Sequence, residues 1–116
     1  MSPRSWRERV MDILEAITQI QQFTRDMEFD EFRNDLKTLH AVILNLVIIG
    51  EAANAISAQL ESQLPELPWH QIRGMRNWLV HHYFSIAPQI LWATIQNDLP
   101  ILAQKLEGIL EENAAD

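Results

Sequence analysis

The chain has no cysteine, only three glycines and only five prolines in 116 residues. Without cysteine there is no disulfide framework and no thiolate metal site, and a reducing compartment suits the chain. With so little glycine and proline, few turns are available and most residues must lie in regular elements. Long apolar runs are also missing. The most apolar stretch, Ala41 to Ile49, is interrupted by Asn45 and falls well short of the roughly 20 residues that span a bilayer. The first residues, Met1 to Arg9, are charged and lead into no signal-type apolar stretch, so a soluble, cytoplasmic protein with no membrane partner is expected. Basic residues are scarce, nine Lys and Arg against 16 Asp and Glu, giving a formal net charge of -7. That balance excludes broad, non-specific nucleic-acid binding through a basic surface. Any contact with RNA or a nucleotide must therefore be local. The length allows one core, so a single domain over residues 1–116 is expected.

One further absence is confined to a segment. From Leu67 to Asn97 there is no Asp or Glu, and the same segment carries His70, Arg73, Arg76, His81 and His82. An acidic chain that clears its carboxylates from one stretch and places cations there offers a local site for an anion, with phosphate as the candidate. The densest part is Arg76-Asn77-Trp78-Leu79-Val80-His81-His82-Tyr83-Phe84-Ser85, which includes the only tyrosine of the chain.

What is present reads as helix. From Trp6 to Phe23, Val10, Ile13, Leu14, Ile17 and Ile20 recur at three- and four-residue steps and describe one amphipathic helix. A second helical region begins near Phe29, and its main helix is expected from Asp35 to Ile56. Because it is apolar nearly all round between Ala41 and Ile49, it should be the central post of a bundle, covered on every side. Gln63-Leu-Pro-Glu-Leu-Pro68 reads as a turn, since proline cannot continue a helix. A third helix is expected from Trp69 to about Tyr83. Pro88 suits the first turn of a fourth, which Pro100 should kink or break near Leu99. No strand alternation, repeat or low-complexity segment occurs. The expected fold is all-α: four main helices in a bundle, with short extra helices and short connections.

On a straight third helix, at about 100° per residue, Arg73, Arg76, Asn77, Val80, His81, Tyr83 and Phe84 share one broad face. Ile72, Met75, Trp78, Leu79 and His82 lie on the other, which makes His82 a packing residue. A single histidine on a helix is more often structural than catalytic, and one arginine can be an ordinary surface residue. The group as a whole is harder to explain by folding. A metal site is not expected: His81 and His82 diverge by about 100° and no carboxylate is near them in sequence. His40 and His70 read as surface or helix-end residues. Arg76 and His81 stand about 140° apart on a straight helix, so a two-fold dimer that pairs these faces would bring two of each around one cleft. Cleavage of a phosphodiester by a 2′-hydroxyl needs one group to take a proton and another to give one. Histidine can do either near neutrality, and arginine stabilises the extra charge on phosphorus. Val80 and Phe84 would then be buried by the partner.

These residues resemble the HEPN ribonuclease domains. Arg76-Asn77-x-x-x-His81 matches their arginine-x4–6-histidine signature, and the longer Arg76-x4-His81-x-Tyr83 is similar to the HepT toxins, which are paired with a minimal nucleotidyltransferase antitoxin. Ile48-Ile49-Gly50-Glu51-Ala52-Ala53, Pro65-Glu66-Leu67-Pro68-Trp69, Gly74-Met75-Arg76, Trp92 and Asp98-Leu99-Pro100 extend the likeness over roughly residues 35 to 102. The resemblance implies a homodimeric HEPN-type bundle acting as a metal-independent endoribonuclease without a cofactor. It is implied to be the toxin of a type VII-like toxin–antitoxin pair, cutting cellular RNA at a site shared by two protomers. Arg76 and His81 would be the catalytic pair and Asn77 would assist, with Arg73, His82 and Glu51 as supporting or RNA-binding candidates. Glu51 is read first as a structural partner for an arginine near the site. The antitoxin would silence the toxin by transferring AMP from ATP onto Tyr83. His82 stands where relatives often carry a small residue, which leaves a supporting role for it open. The competing class is a non-catalytic helical module that binds a nucleotide or a nucleotidyltransferase through the same face. A plain dimerising bundle would leave that face unexplained.

Overall fold

Several helices begin where the sequence supplies a cap. In the computed structural model, which describes residues 5–113, Ser5 caps α1 (Trp6–Phe23) with a reciprocal pair of bonds. Its hydroxyl accepts from the Glu8 N–H at 3.2 Å, and the Glu8 carboxylate accepts from the Ser5 N–H at 3.1 Å. Residues 1–4 and 114–116 lie outside this description, so the charged N-terminal stretch is described only from Ser5 onward and the expected single domain over residues 5–113. Val10, Ile13, Ile17 and Ile20 of the expected stripe are buried, joined by Ala16, while Leu14 is half-buried.

Glu28 and Glu31 form a second capping box at α2 (Phe29–Arg33), whose Phe32 is fully buried against Trp92 at 5.0 Å between ring centres. Asp35 caps α3 (Leu36–Asn54), accepting from the Thr38 N–H at 3.1 Å and the Thr38 hydroxyl at 2.8 Å. Those two bonds hold the Asp35 carboxyl below its ordinary value. A short α4 (Ala58–Ser62) and the proline turn lead to α5 (Trp69–His81). There the Trp69 indole N–H donates to the Leu64 carbonyl at 2.9 Å and pins the turn to the core. A 3-10 turn over Tyr83–Ser85 follows.

The C-terminal helix begins with Pro88 in its first turn as α6 (Pro88–Ala93) and ends as α7 (Leu99–Glu112). Pro100 does not break it. Between the two parts Thr94–Asp98 forms a π-helical turn, in which the Leu99 N–H bonds the Thr94 carbonyl, five residues back. Proline has no N–H to give to residue 96 and its ring would clash with that carbonyl. A widened turn just before it removes the conflict without ending the helix.

The fold is the expected all-α bundle of four main helices, α1, α3, α5 and the α6–α7 arm, with α2 and α4 as the short extras. No strand occurs among the described residues. α3 packs along both α1 and α5, and α7 returns against α1. α3 departs from expectation in two respects. At 19 residues it is, by length and composition, long and apolar enough to cross a membrane, a property that core helices of bundles share. It is also not covered on every side. Val42, Leu46 and Ile49 are buried, but Leu36, Leu44 and Ile48 are exposed. The main neighbours of α3 are α1 and α5, and among the described residues an i, i+4 stripe through Leu36, Leu44 and Ile48 stays open.

Candidate active site

The open stripe of α3 also carries His40 and Glu51, and both reach across to α5 and the turn after it. Glu51 pairs with Arg76, Oε1 to Nε at 2.6 Å. His40 Nε2 lies 2.7 Å from the Tyr83 hydroxyl, with the two rings 5.6 Å apart. The helices run antiparallel along this seam, and the two polar ties are eleven positions apart on α3, or about 16 Å at 1.5 Å per residue. Between the ties lie the exposed apolar side chains Leu44 and Ile48 on α3 and Val80 on α5.

Gly50 sets how closely the helices meet. A Cβ built on it would stand 3.0 Å from the Arg76 backbone nitrogen, 3.3 Å from the Ile72 carbonyl oxygen and 3.4 Å from the Met75 Cβ. The absence of a side chain there lets α5 seat its Arg76 turn directly on α3. The next residue, Glu51, is then in place to hold the guanidinium. At one end of the same contact, the Asn54 amide donates to the Arg73 carbonyl at 3.2 Å.

Asn77 and His81 are exposed beside Arg76 on the outward face of α5. Phe84 is almost fully exposed (99%) and meets the Tyr83 ring edge-on at 5.0 Å. Three placements differ from the straight-helix projection. Tyr83 does not lie on the α5 spiral, because the helix ends at His81 and His82 takes φ -106 and ψ 13. The 3-10 turn then carries Tyr83 toward His40. His82 is not in the core. It is exposed, stacks on Trp78 at 4.7 Å, and with its proton on Nδ1 donates to the Trp78 carbonyl at 2.9 Å, closing the last turn of α5. Arg73 is engaged by Glu61 of α4 and half-buried, so it does not stand free for a phosphate.

The segment that lacks carboxylates in sequence thus receives them in space, from α3 and α4. Glu51 is the arginine partner anticipated for it. His40, read as a surface or helix-end residue, is exposed, but its contact with Tyr83 was not anticipated. The signal for it was the four-residue step Leu36-His40-Leu44-Ile48, which puts it on the same open stripe that leads to Glu51. Among the described residues no group of three or more His, Asp or Glu side chains is arranged to hold a metal ion.

A well-defined cleft lies elsewhere. An apolar cavity of about 640 Å³ opens between α5 and the C-terminal helices, lined by Met75, Trp78, Leu79, Ile90 and Ile101 among others. It uses the opposite side of α5 from Arg76, Asn77 and His81. The candidate site is a surface rather than a pocket.

The family model described as "Ribonuclease HepT-like" matches residues 13–109, and the chain belongs to that family. It is 42% identical to the "Probable ribonuclease HepT" of Thermococcus cleftensis, over 91% of this chain and 96% of that protein. A Methanocaldococcus jannaschii protein named as a putative RNase is 38% identical, over 97% of this chain and 93% of its own. A relative named in the same way in Caldanaerobacter subterraneus is 29% identical, over 96% of both chains. No solved structure matches the chain.

Proposed function

We propose that this protein is an endoribonuclease toxin acting as a homodimer, with a site composed from two protomers and no metal in its chemistry. The observation that carries the reading is the arrangement of the open face. Arg76, Asn77 and His81 are exposed next to Leu44, Ile48, Val80 and Phe84, which nothing among the described residues covers. Uncovered apolar side chains around a polar cluster suit a surface that a second copy closes by two-fold symmetry. Closure brings a second Arg76 and a second His81 to one cleft, which supplies the two proton-transfer groups that a single chain lacks.

The substrate is RNA. Its 2′-oxygen attacks the adjacent phosphorus, its proton passes to one imidazole, and the second imidazole protonates the departing 5′-oxygen. A 2′,3′-cyclic phosphate and a 5′-hydroxyl result. Arg76 stabilises the charge that builds on the phosphoryl oxygens. Glu51 orients it: a carboxylate occupies at most two of the five guanidinium donors, leaving others for the phosphate. Asn77 assists by binding the same group.

Regulation runs through Tyr83. A nucleotidyltransferase antitoxin transfers AMP from ATP to its hydroxyl, which is 40% exposed with its ring. The added bulk and negative charge then obstruct the site and oppose the binding of another phosphate. The protein works in the cytoplasm, where this RNA and ATP are found.

Purified protein incubated with total RNA in EDTA tests the reading. Cleavage with cyclic phosphate ends is expected, and Arg76→Ala and His81→Ala should each lower it by about 10²–10⁴-fold without changing the melting temperature. Strict need for a divalent ion, or full activity of either variant, overturns the mechanism. Incubation with the antitoxin, ATP and magnesium should add AMP to Tyr83 and stop cleavage. An adduct on another residue refutes the switch.

A further inference from the structure

The tyrosine and histidine that meet across the α3–α5 seam form a nucleophile and a base in contact. Tyr83 Oη and His40 Nε2 are 2.7 Å apart, and in the single chain both residues are exposed. In the tautomer with its proton on Nδ1, His40 accepts the phenol O–H. A phenol is a poor nucleophile while protonated, because its ordinary pKa is near 10, whereas imidazole takes up a proton near neutrality. A hydrogen bond of this length lets the proton leave as the new bond forms.

The surroundings favour this role over a clamp alone. His40 sits on α3 and Tyr83 on a separate 3-10 turn, 43 positions away in sequence, so the contact is made only by the fold. The tyrosine segment itself has no carboxylate from Leu67 to Asn97, leaving no acidic side chain along it to take the proton. The phenol also needs no help to be solvated, since it is half-open to water. Its fixed direction toward an imidazole is therefore not required by burial.

We infer that His40 is the general base that activates the Tyr83 hydroxyl toward an electrophilic phosphorus or sulfur centre. For the modification proposed above, on which this biological use rests, Tyr83 Oη bonds to the α-phosphorus of a nucleoside triphosphate. The bond from that phosphorus to the bridging oxygen breaks, pyrophosphate leaves, and the phenol proton moves to His40 Nε2 and then to water. His40 touches the reacting oxygen and is a catalytic residue of that transfer, contributed by the acceptor chain itself.

The test uses the full chain and a probe that carries its own electrophile, 5′-fluorosulfonylbenzoyl adenosine. Its sulfur bonds to Oη, fluoride leaves, and the proton takes the same path. Labelling of Tyr83 is followed by mass spectrometry in the unsubstituted chain, in His40→Gln and in His40→Ala, with Tyr83→Phe as the blank. Glutamine can still accept the phenol hydrogen bond but cannot take the proton. Labelling at Tyr83 should fall by about 10²-fold or more in both His40 variants, with melting temperatures unchanged because His40 is exposed. If His40→Gln labels as fast as the unsubstituted chain while His40→Ala does not, the contact is a structural clamp and the inference is overturned. Equal labelling of all three, or no labelling of Tyr83 in the unsubstituted chain, also overturns it. The probe needs no transferase, so a chain that the antitoxin leaves unmodified refutes the proposed regulation separately.

Discussion

The two seams of α3 are built to different degrees of completion. Where α3 packs on α1, the two helices carry the buried side chains Ile13, Ile17, Val42 and Ile49, with almost no surface left to solvent. Against α5, the inner contact is equally tight at Gly50, but the outer edge leaves Leu44, Ile48 and Val80 uncovered and holds the helices together with polar ties. The first seam satisfies itself within one chain and concerns stability. The second is open at its outer edge, and Glu51, Arg76, His40 and Tyr83 lie along it or at its end. A fold can thus be well packed on one side of a helix while the other side stays open.

Substitutions should separate the seams. The largest effect is expected from a double charge on the open edge, Leu44→Glu with Val80→Glu. Sedimentation should show monomer, and RNA cleavage should fall to background, while circular dichroism stays helical. A cleaving monomer would break the comparison at its root. Next comes the closed seam. Ile13→Ala should destabilise the chain by about 2–5 kcal/mol, read from urea midpoints, yet leave the cleavage rate per folded molecule unchanged. Loss of activity ahead of unfolding would mean that the two seams are coupled.

Gly50→Ala is placed between them. The added methyl would press on the Arg76 backbone at 3.0 Å, so a loss of about 1–3 kcal/mol together with a drop in cleavage is expected. A stable but inactive variant would sharpen the point, since it would show that helix spacing serves Arg76 more than the core. His82→Gln should matter least. The residue is exposed and closes the end of α5, so a change within about 0.5 kcal/mol is expected, and a folded but inactive variant would move a proton-transfer role onto it.

Helix existence was legible because it follows from local rules. Ser5 and Glu8 announce a start, Asp35 another, and apolar steps of three and four residues set the buried faces. The third helix was read about two residues too long, which displaced both His82 and Tyr83. An angular projection is valid only while the helix continues, and the 3-10 turn after His82 is where it failed. Pro100 was read as a kink or break near Leu99 because proline opposes the regular ladder. The chain widened the ladder instead, an alternative that local sequence does not distinguish from a kink.

By itself the sequence determined the class of fold, the helix-forming segments and the residues capable of chemistry, because periodicity, capping and side-chain type are properties of neighbours in the chain. Arg76, Asn77, His81 and Tyr83 could be named from their spacing alone. Only the tertiary structure decided what each of them meets. Glu51 reaches Arg76 and His40 reaches Tyr83 because α3 and α5 lie antiparallel at a distance set by Gly50. Arg73 is drawn away to Glu61 for the same kind of reason. Such pairings depend on crossing distance and register between helices far apart in sequence, and no local pattern encodes those.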